Sequence, residues 1–345
     1  LLATSGKAAR INNIGIYNCL GRETKFVTMA GVKSFYNFSD GDDVVVLTHT
    51  GEWKEATVRN YGKQPLNLIT FQRYGSIPQK LRATKNHNWI LSDGTTTNDI
   101  SIGDSVLSAP NIFDDFCYES SDPAEKLYWC YGLVYGDGTL ISDKYGQPIA
   151  SLVRLCNYKN KFKYRFEELG FSTSTSHSLD GDFIAYTGKY MKTLPDPNVD
   201  PPNLIRAFIA GYLDADGAKN NYKSHISKYK SIQTSKQESF DFIERCFPIA
   251  GVTVFRYDDF TGQITNYATR GETRRYIIST NLKSKSNNAN YTVKNIIADN
   301  EIEDVWCLEV EDNHSFVLAN GMSTGNCSYQ AVDSLESFSE SFLFL

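Results

Sequence analysis

Cys19, Asn326 and Cys327 are the residues whose types and placement could do chemistry. A cysteine thiol can take an acyl group from the peptide carbonyl just before it. An asparagine can close its side-chain amide on its own carbonyl and so cut the peptide bond that follows. A cysteine directly after that asparagine can receive the acyl group. Here Cys19 follows Asn18, and Cys327 follows Asn326. If residues 19–326 are removed and the ends joined, LLATSGKAARINNIGIYN runs into CSYQAVDSLESFSESFLFL, a plausible uninterrupted stretch.

A second constellation lies between these junctions. YGLVYGDG (131–138) and AGYLDADG (210–217) form a weak internal repeat, each an apolar helical stretch ending in Asp-Gly. One Asp-Gly alone reads as a turn. Two copies in a basic region point elsewhere. The chain carries a net charge of −5, yet residues 120–290 hold 22 Lys and Arg against 18 Asp and Glu. A basic middle inside acidic flanks implies two jobs, one of them toward phosphates.

The elements that must position these residues are of two kinds. VVVLTHTGEWKEATV (44–58) reads as two strands around a Thr-Gly turn, LNLITFQ (66–72) as another strand, and NWILSDGTT (88–96) as a strand with an Asp-Gly turn. EIEDVWCLEVEDNHSFVLANG (301–321) returns to the same style. Helical patterns occupy 124–136, 159–169, 203–213 and 236–246, alternating with strand-like pieces at 182–187 and 252–257. A split β region therefore brackets an α/β insert, with boundaries near 115–122 and in SKSNNAN (284–290).

Composition limits the alternatives. Hydrophobic content of 41% and charged content of 22% are those of a soluble globular protein. No apolar run approaches the roughly 20 residues needed to cross a bilayer, so no membrane partner is expected. The first residues do not read as a signal peptide, and without an initiator Met the chain reads as a fragment of something longer. Seven cysteines with no CxxC pair argue against a zinc site or a disulfide scaffold. A working Cys19 thiol requires a reducing setting, so a cytoplasmic location is expected.

The β-rich part resembles the Hint domain of inteins. Thr84-Lys85-Asn86-His87 fits the T-x-x-H segment of that family, and VWCLEVEDNHSFVLANG (305–321) fits the segment carrying a catalytic histidine, here His314. A lone Cys or His is more often a packing or surface residue, and the motifs are what favour a functional role. The resemblance implies that Cys19 Sγ attacks the Asn18 carbonyl to make a thioester. His87 would donate to the departing amide nitrogen. Thr84 and nearby backbone N–H groups would stabilise the oxyanion. Cys327 would then attack the thioester, Asn326 would cyclise, and a final S-to-N shift would make the ligated peptide. Cys307 stands where many inteins carry Asp, and reads either as an acid that helps the branched intermediate or as core packing. Most inteins have His just before the terminal Asn; this chain has Gly325, which throws weight onto His314. Splicing is expected to need no cofactor.

Trp129–Gly138 and Phe208–Gly217 resemble the LAGLIDADG motif of homing endonucleases, the second copy closely and the first more loosely. The resemblance implies two helices packed through small residues, presenting Asp137 and Asp216 as Mg²⁺ ligands and catalytic acids at the centre of a saddle of strands. It further implies cleavage of double-stranded DNA at the intein-free host gene by a monomer with two pseudo-symmetric halves. Lys219, just past Asp216, is a candidate for stabilising charge or polarising water. Arg154, Lys159, Lys161, Lys163 and Arg165, with Lys219, Lys223, Lys228, Lys230, Tyr222 and Tyr229, would suit a phosphate backbone, although any one of them could equally sit on a solvated face.

The joined flanks resemble ribonucleotide reductase, most like the adenosylcobalamin-dependent class. The expected organisation is an N-extein fragment at 1–18, a Hint N-terminal part at 19–118, the endonuclease at 119–289, a Hint C-terminal part at 290–326 and a C-extein fragment at 327–345. The expected fold class is a mainly β, horseshoe-like splicing domain plus an α/β endonuclease domain with two pseudo-symmetric halves. Two alternatives stay open: a splicing-only intein with a decayed endonuclease, and a plain reductase domain, which the break between the flanks disfavours.

Overall fold

In a computed structural model, the residues described are 18–73, 77–109, 119–175, 183–188, 191–219, 229–263, 271–280 and 290–326. Both flanks, 1–17 and 327–345, lie outside them, as does Cys327.

Two 20-residue strands, Trp53–Gln72 and Tyr291–Val310, organise the β-rich body. They pair antiparallel from Thr292↔Gln72 to Val310↔Ala56, with irregularities after Val293, Asp299 and Asp304. Such bulges bend and twist a long ladder, so strands that would splay if flat coil around each other. The sequence reading made 44–58 and 66–72 separate strands. The structure runs the second half of that hairpin straight through to Gln72, because Asp43–Leu47, Gln79–Ala83 and Tyr291–Val310 in turn supply partners along its length. The eight-stranded sheet also takes in Leu20–Gly21, which lies between Gln79–Ala83 and Tyr291–Val310.

A small four-stranded sheet decides the site. Ser315–Val317 pairs with Ser323–Gly325, which pairs with Trp89–Ile90, which pairs with Thr96–Thr97. His87 therefore enters this sheet just before Trp89, at the same end as His314 and Asn326. The core side chains of the β body, among them Phe26, Phe71, Trp89, Phe316 and Leu318, are fully or almost fully buried. Each such side chain contributes about 1.5–3 kcal/mol by leaving water.

The α/β body repeats one topology twice. Helix α1 (Pro123–Asp137) precedes strands 139–142, 148–155, 172–175 and 183–186, with the short α2 (Lys163–Glu168) in the middle. Helix α3 (Pro202–Asp216) precedes strands 217–219, 229–234, 252–259 and 274–280, with α4 (Gln237–Cys246) in the middle. In both four-stranded sheets the strands lie first, second, fourth, third. Asp122 caps α1 by accepting from the Ala124 N–H at 2.9 Å, with Pro123 at the first helical position.

α1 and α3 lie against each other through glycine. A Cβ on Gly132 would overlap the carbonyl oxygen of Phe208, and one on Gly211 would overlap that of Trp129. The two glycines occupy equivalent places in the repeated segments, so the close approach is itself two-fold. Asp214, the inner acid of the second motif, is buried and accepts from Trp129 Nε1 at 3.2 Å and Tyr229 OH at 2.5 Å. It ties the helices to the sheet.

The fold class is as expected: a mainly β body, and an α/β body with two pseudo-symmetric halves. The two bodies share packing. Val27, Leu47, Ala109 and Val317 of the β body join the buried cluster that includes Ile249, Ala250 and Val252 of the second half. Along 316–318 the side chains alternate: Phe316 and Leu318 face the β core and Val317 faces the α/β body. Among the described residues, no helix is long and apolar enough to cross a membrane.

Candidate active sites

The first candidate site gathers both ends of the segment 19–326. Asn18 and Asn326 line one cleft of about 530 Å³, with His49, Asn88 and His314. Cys19 is fully buried. Its N–H, the nitrogen of the Asn18–Cys19 peptide bond, donates to Thr84 Oγ1 at 2.9 Å, and its carbonyl accepts from the Thr84 N–H at 2.9 Å. The turn that follows closes by His87 N–H to Thr84 O at 3.0 Å, while Asn86 Nδ2 donates to Asn18 Oδ1 at 2.8 Å. One turn thus grips the residues on both sides of the peptide bond.

His87 is fully buried, its ring edge-on to Trp89 at 4.6 Å between centroids. Burial lowers its pKa to about 4, against an opposing pull from the Asn18 main-chain carbonyl. The imidazole is therefore neutral at pH 7 and stands at the carbonyl that Cys19 would attack. Its Nε2 meets Thr324 Oγ1 at 2.6 Å, and Nδ1, buried, closes no full hydrogen bond among the described residues. The placement differs from what the motif implied: the Thr84 hydroxyl accepts from the amide nitrogen, and the Asn18 carbonyl lies near His87.

At the other junction, Asn326 is buried, and its N–H donates to His314 O at 2.9 Å. Asn326 Nδ2 donates to Val310 O at 3.0 Å and lies 3.4 Å from His314 Nδ1. Two acceptors at the amide nitrogen draw its protons away from it, which suits a nucleophile. Its Oδ1 is buried without a partner among the described residues, so the side chain is not held at both ends. Cys327 lies outside the described residues.

Gly325 has a steric reason. A Cβ there would come within 2.5 Å of Asn88 Nδ2 and 2.9 Å of Asn88 O, and the Gly325 N–H already donates to that carbonyl at 3.0 Å. The space beside residue 325 is filled by Asn88, and a side chain there would have to displace a backbone carbonyl. Cys307 is fully buried on Tyr291–Val310. The pairing Leu20↔Trp306, carried one residue further, sets it beside Cys19. His49, Asn88 and Thr324 escaped the sequence reading, since no local pattern marks them.

The second candidate site lies at the paired C-termini of α1 and α3. Asp216 Oδ2 would sit 3.0 Å from a Cβ on Gly136, so a small residue lets the acid approach the facing helix. Burial, and then the charge of Asp137, push the Asp216 carboxyl above the usual range. Lys159 is ion-paired to Asp137 and also donates to Ala215 O at 2.7 Å. Lys236 donates to Tyr135 O at 2.7 Å, and Lys192 donates to Gly138 O. Lys192 is lowered to about 8, first by burial and then by Lys236. The sequence reading placed Lys159 among phosphate contacts and missed Lys192 and Lys236. Lys159 and Lys236 each follow the second strand of their half, a relation that only the repeated topology makes visible.

Among the described residues, no group of three His, Cys, Asp or Glu side chains gathers to hold a metal. The two carboxylates nevertheless fit Mg²⁺. The donors are hard oxygens, the charge of Asp137 raises the cost of ionising Asp216, and both stand at negative helix ends. Lys219 begins strand Gly217–Lys219, and its side chain lies outside the described residues.

Several expected phosphate contacts are otherwise engaged. Tyr229 is buried on Asp214, Lys163 pairs with Glu167 at 3.2 Å, and the Arg165 guanidinium lies 4.3 Å over the Trp129 ring. Lys223, Lys228 and Tyr222 lie outside the described residues. Tyr158, Tyr164 and Tyr186 are exposed on the first half.

No family model matches the chain, and no curated protein matches it. Among solved structures, the chain is similar to the Ssp DnaB mini-intein variant M86, at 8% identity and TM-score 0.31, over 91% of this chain and 96% of that one. It is similar to the gp41-1 intein at 23% identity and TM-score 0.22, over 26% of this chain and 68% of that one. It is also similar to the N-terminal LAGLIDADG domain of DUF199/WhiA at 14% identity and TM-score 0.30, over 49% of this chain and 85% of that one. The chemistry rests on the chain's own residues.

Proposed function

We propose that the chain is a self-splicing intein bearing an inserted LAGLIDADG-type endonuclease. The observation that carries the first half is the shared cleft. Asn18 and Asn326, from opposite ends of the excised segment, open on it together, with His87 at one carbonyl and His314 at the other side-chain amide.

In the first step, Cys19 Sγ bonds to the Asn18 carbonyl carbon, the C–N bond breaks, and the thiol proton passes to the freed amine. Thr84 fixes that nitrogen, and neutral His87 stands at the carbonyl oxygen. Cys327 Sγ then displaces Cys19 Sγ from the acyl carbon. Asn326 Nδ2 next bonds to its own carbonyl carbon and gives up a proton toward His314. The bond to the Cys327 nitrogen breaks with a proton going to that amine, leaving a succinimide. A last S-to-N shift restores a peptide bond. The reaction consumes no cofactor. The test is to express the chain with longer flanks and weigh the products. A ligated flank product with an excised segment is expected, and flanks that stay attached would reject splicing.

The second half rests on the acid pair and its lysines. Asp137 and Asp216 would hold Mg²⁺, which supplies Lewis-acid stabilisation of the oxygens at phosphorus when bound. Lys159, Lys192 and Lys236 balance negative charge at the helix ends, and Lys192, lowered to about 8, gives up its proton more readily than an ordinary lysine. The substrate proposed is duplex DNA of the intein-free host gene, whose joined sequence the intein interrupts. From the resemblance of the flanks, the host proposed is a ribonucleotide reductase. Cleavage of that duplex with Mg²⁺, and resistance of the intein-bearing gene, is the expected result. No cleavage would favour the alternative, a splicing intein with a decayed nuclease.

A further inference from the structure

Splicing as proposed puts His314 in an unusual position. Its φ is +44°, and that of Asp312 is +62°. A non-glycine residue in this region is strained and persists only where its surroundings hold it there. The turn that carries His314 therefore needs anchors, and both of its neighbours have them. On one side, Asn313 Nδ2 donates to Thr50 Oγ1 at 3.0 Å and Glu52 Oε2 at 2.8 Å. On the other, Ser315 Oγ accepts from the His49 N–H at 3.3 Å and meets His49 Nδ1 at 2.5 Å. All these partners come from one tight turn, closed by Thr48 N–H to Glu52 O at 2.9 Å and Gly51 N–H to Thr48 O at 3.0 Å.

We propose that the turn Thr48–Glu52 is a clamp for the C-terminal cleavage, with His49 as its positioning residue acting through Ser315 on His314. The proposal rests on the splicing reading. Ser315 is fully buried and pairs with Gly325, so the clamp reaches both the histidine and the residue before Asn326. It also answers a problem specific to this chain. Asn88 fills the space beside residue 325, so His314 is the imidazole at the Asn326 amide, and its orientation decides that step. His49 lines the same cleft, but its Nδ1 is spent on Ser315. A helper that works by geometry needs the hydrogen bond and not the proton.

The test uses the full chain with long flanks and two readouts: thiol-induced release of the N-terminal flank, which reports the thioester, and succinimide release of the C-terminal flank. His49→Ala and Ser315→Ala should each slow succinimide release about tenfold, the scale set by losing a strained arrangement. The double variant should lose no more than either single one, because one interaction is being removed. Thioester release should stay at the parent rate. His49→Asn, which can place an amide where Nδ1 stands, should restore most of the rate. Additive losses would overturn the clamp, as would thioester release falling in parallel. His49→Asn as slow as His49→Ala would make His49 a proton carrier and overturn the positioning role. A parent that forms neither thioester nor succinimide rejects splicing itself, whereas a splicing parent matched in rate by His49→Ala rejects the clamp alone.

Discussion

The two candidate centres solve opposite problems. At the junctions the chain, as proposed, is its own substrate, and the groups around Cys19 are buried and neutral: Thr84, His87 held down to about pKa 4, Asn18 and Thr324. At the helix ends the groups are charged and reach solvent, with two carboxylates and three lysines around them. An acyl transfer that must not become hydrolysis requires exclusion of water and uncharged donors that tolerate burial. A site for a polyanion and a dication requires charge, and charge cannot be buried without partners. The difference follows from what each centre must bind.

The comparison breaks most sharply with one variant per centre. Cys19→Ala should abolish thioester formation and ligation while DNA cleavage persists. Asp216→Asn should lower Mg²⁺-dependent cleavage by about 10² or more, as loss of a charge at a metal site does, with ligation retained. Chelation of Mg²⁺ should reproduce the second variant and not the first. Mass analysis of products and a plasmid-cutting assay read the two arms. Ligation falling with cleavage in Asp216→Asn would show that the shared packing of Val27, Leu47 and Val317 against the second half couples the centres.

A middle-sized effect separates steric from chemical reasons for Gly325. Adding the usual histidine should slow succinimide formation, since the new Cβ meets the Asn88 carbonyl at 2.9 Å. The cost expected is about 1–3 kcal/mol, that of overpacking. This reverses the expectation from the motif alone, under which an added imidazole speeds cyclisation. Faster cyclisation in Gly325→His would show that Asn88 moves aside.

The smallest effect is in pH. His87 has a folded-state pKa near 4 against 6.5 in the open chain. Folding therefore excludes a proton, and the stability it confers is present above pH 6.5 and lost as pH falls from 6.5 through 4. About 3 kcal/mol is at stake for the β body. His87→Gln should flatten that window in denaturant titrations. Cleavage should behave differently, rising as pH approaches the pKa of about 8 of Lys192. Parallel pH profiles would mean that the contrast between a neutral and a charged centre is wrong.

Much of this was legible in the chain. Cys19, Thr84, His87, His314 and Asn326 were marked by residue type at junctions and by short motifs. The helix pair was marked by repetition, because Gly132 and Gly211 stand at equivalent places in two apolar segments. Alternation and turn residues gave away the hairpin of Asp43–Leu47 with the strand after it. The sequence by itself determined which side chains can do acyl transfer and which can hold a dication, since both depend on residue identity. Only the tertiary structure decided who stands beside whom. Thr84 meets the amide nitrogen and His87 lies near the Asn18 carbonyl because a turn, not a motif, aims their polar atoms. His49, Asn88, Lys192 and Lys236 reach their centres through pairings between strands distant in sequence. Such contacts are set by register and packing, and no local pattern carries them.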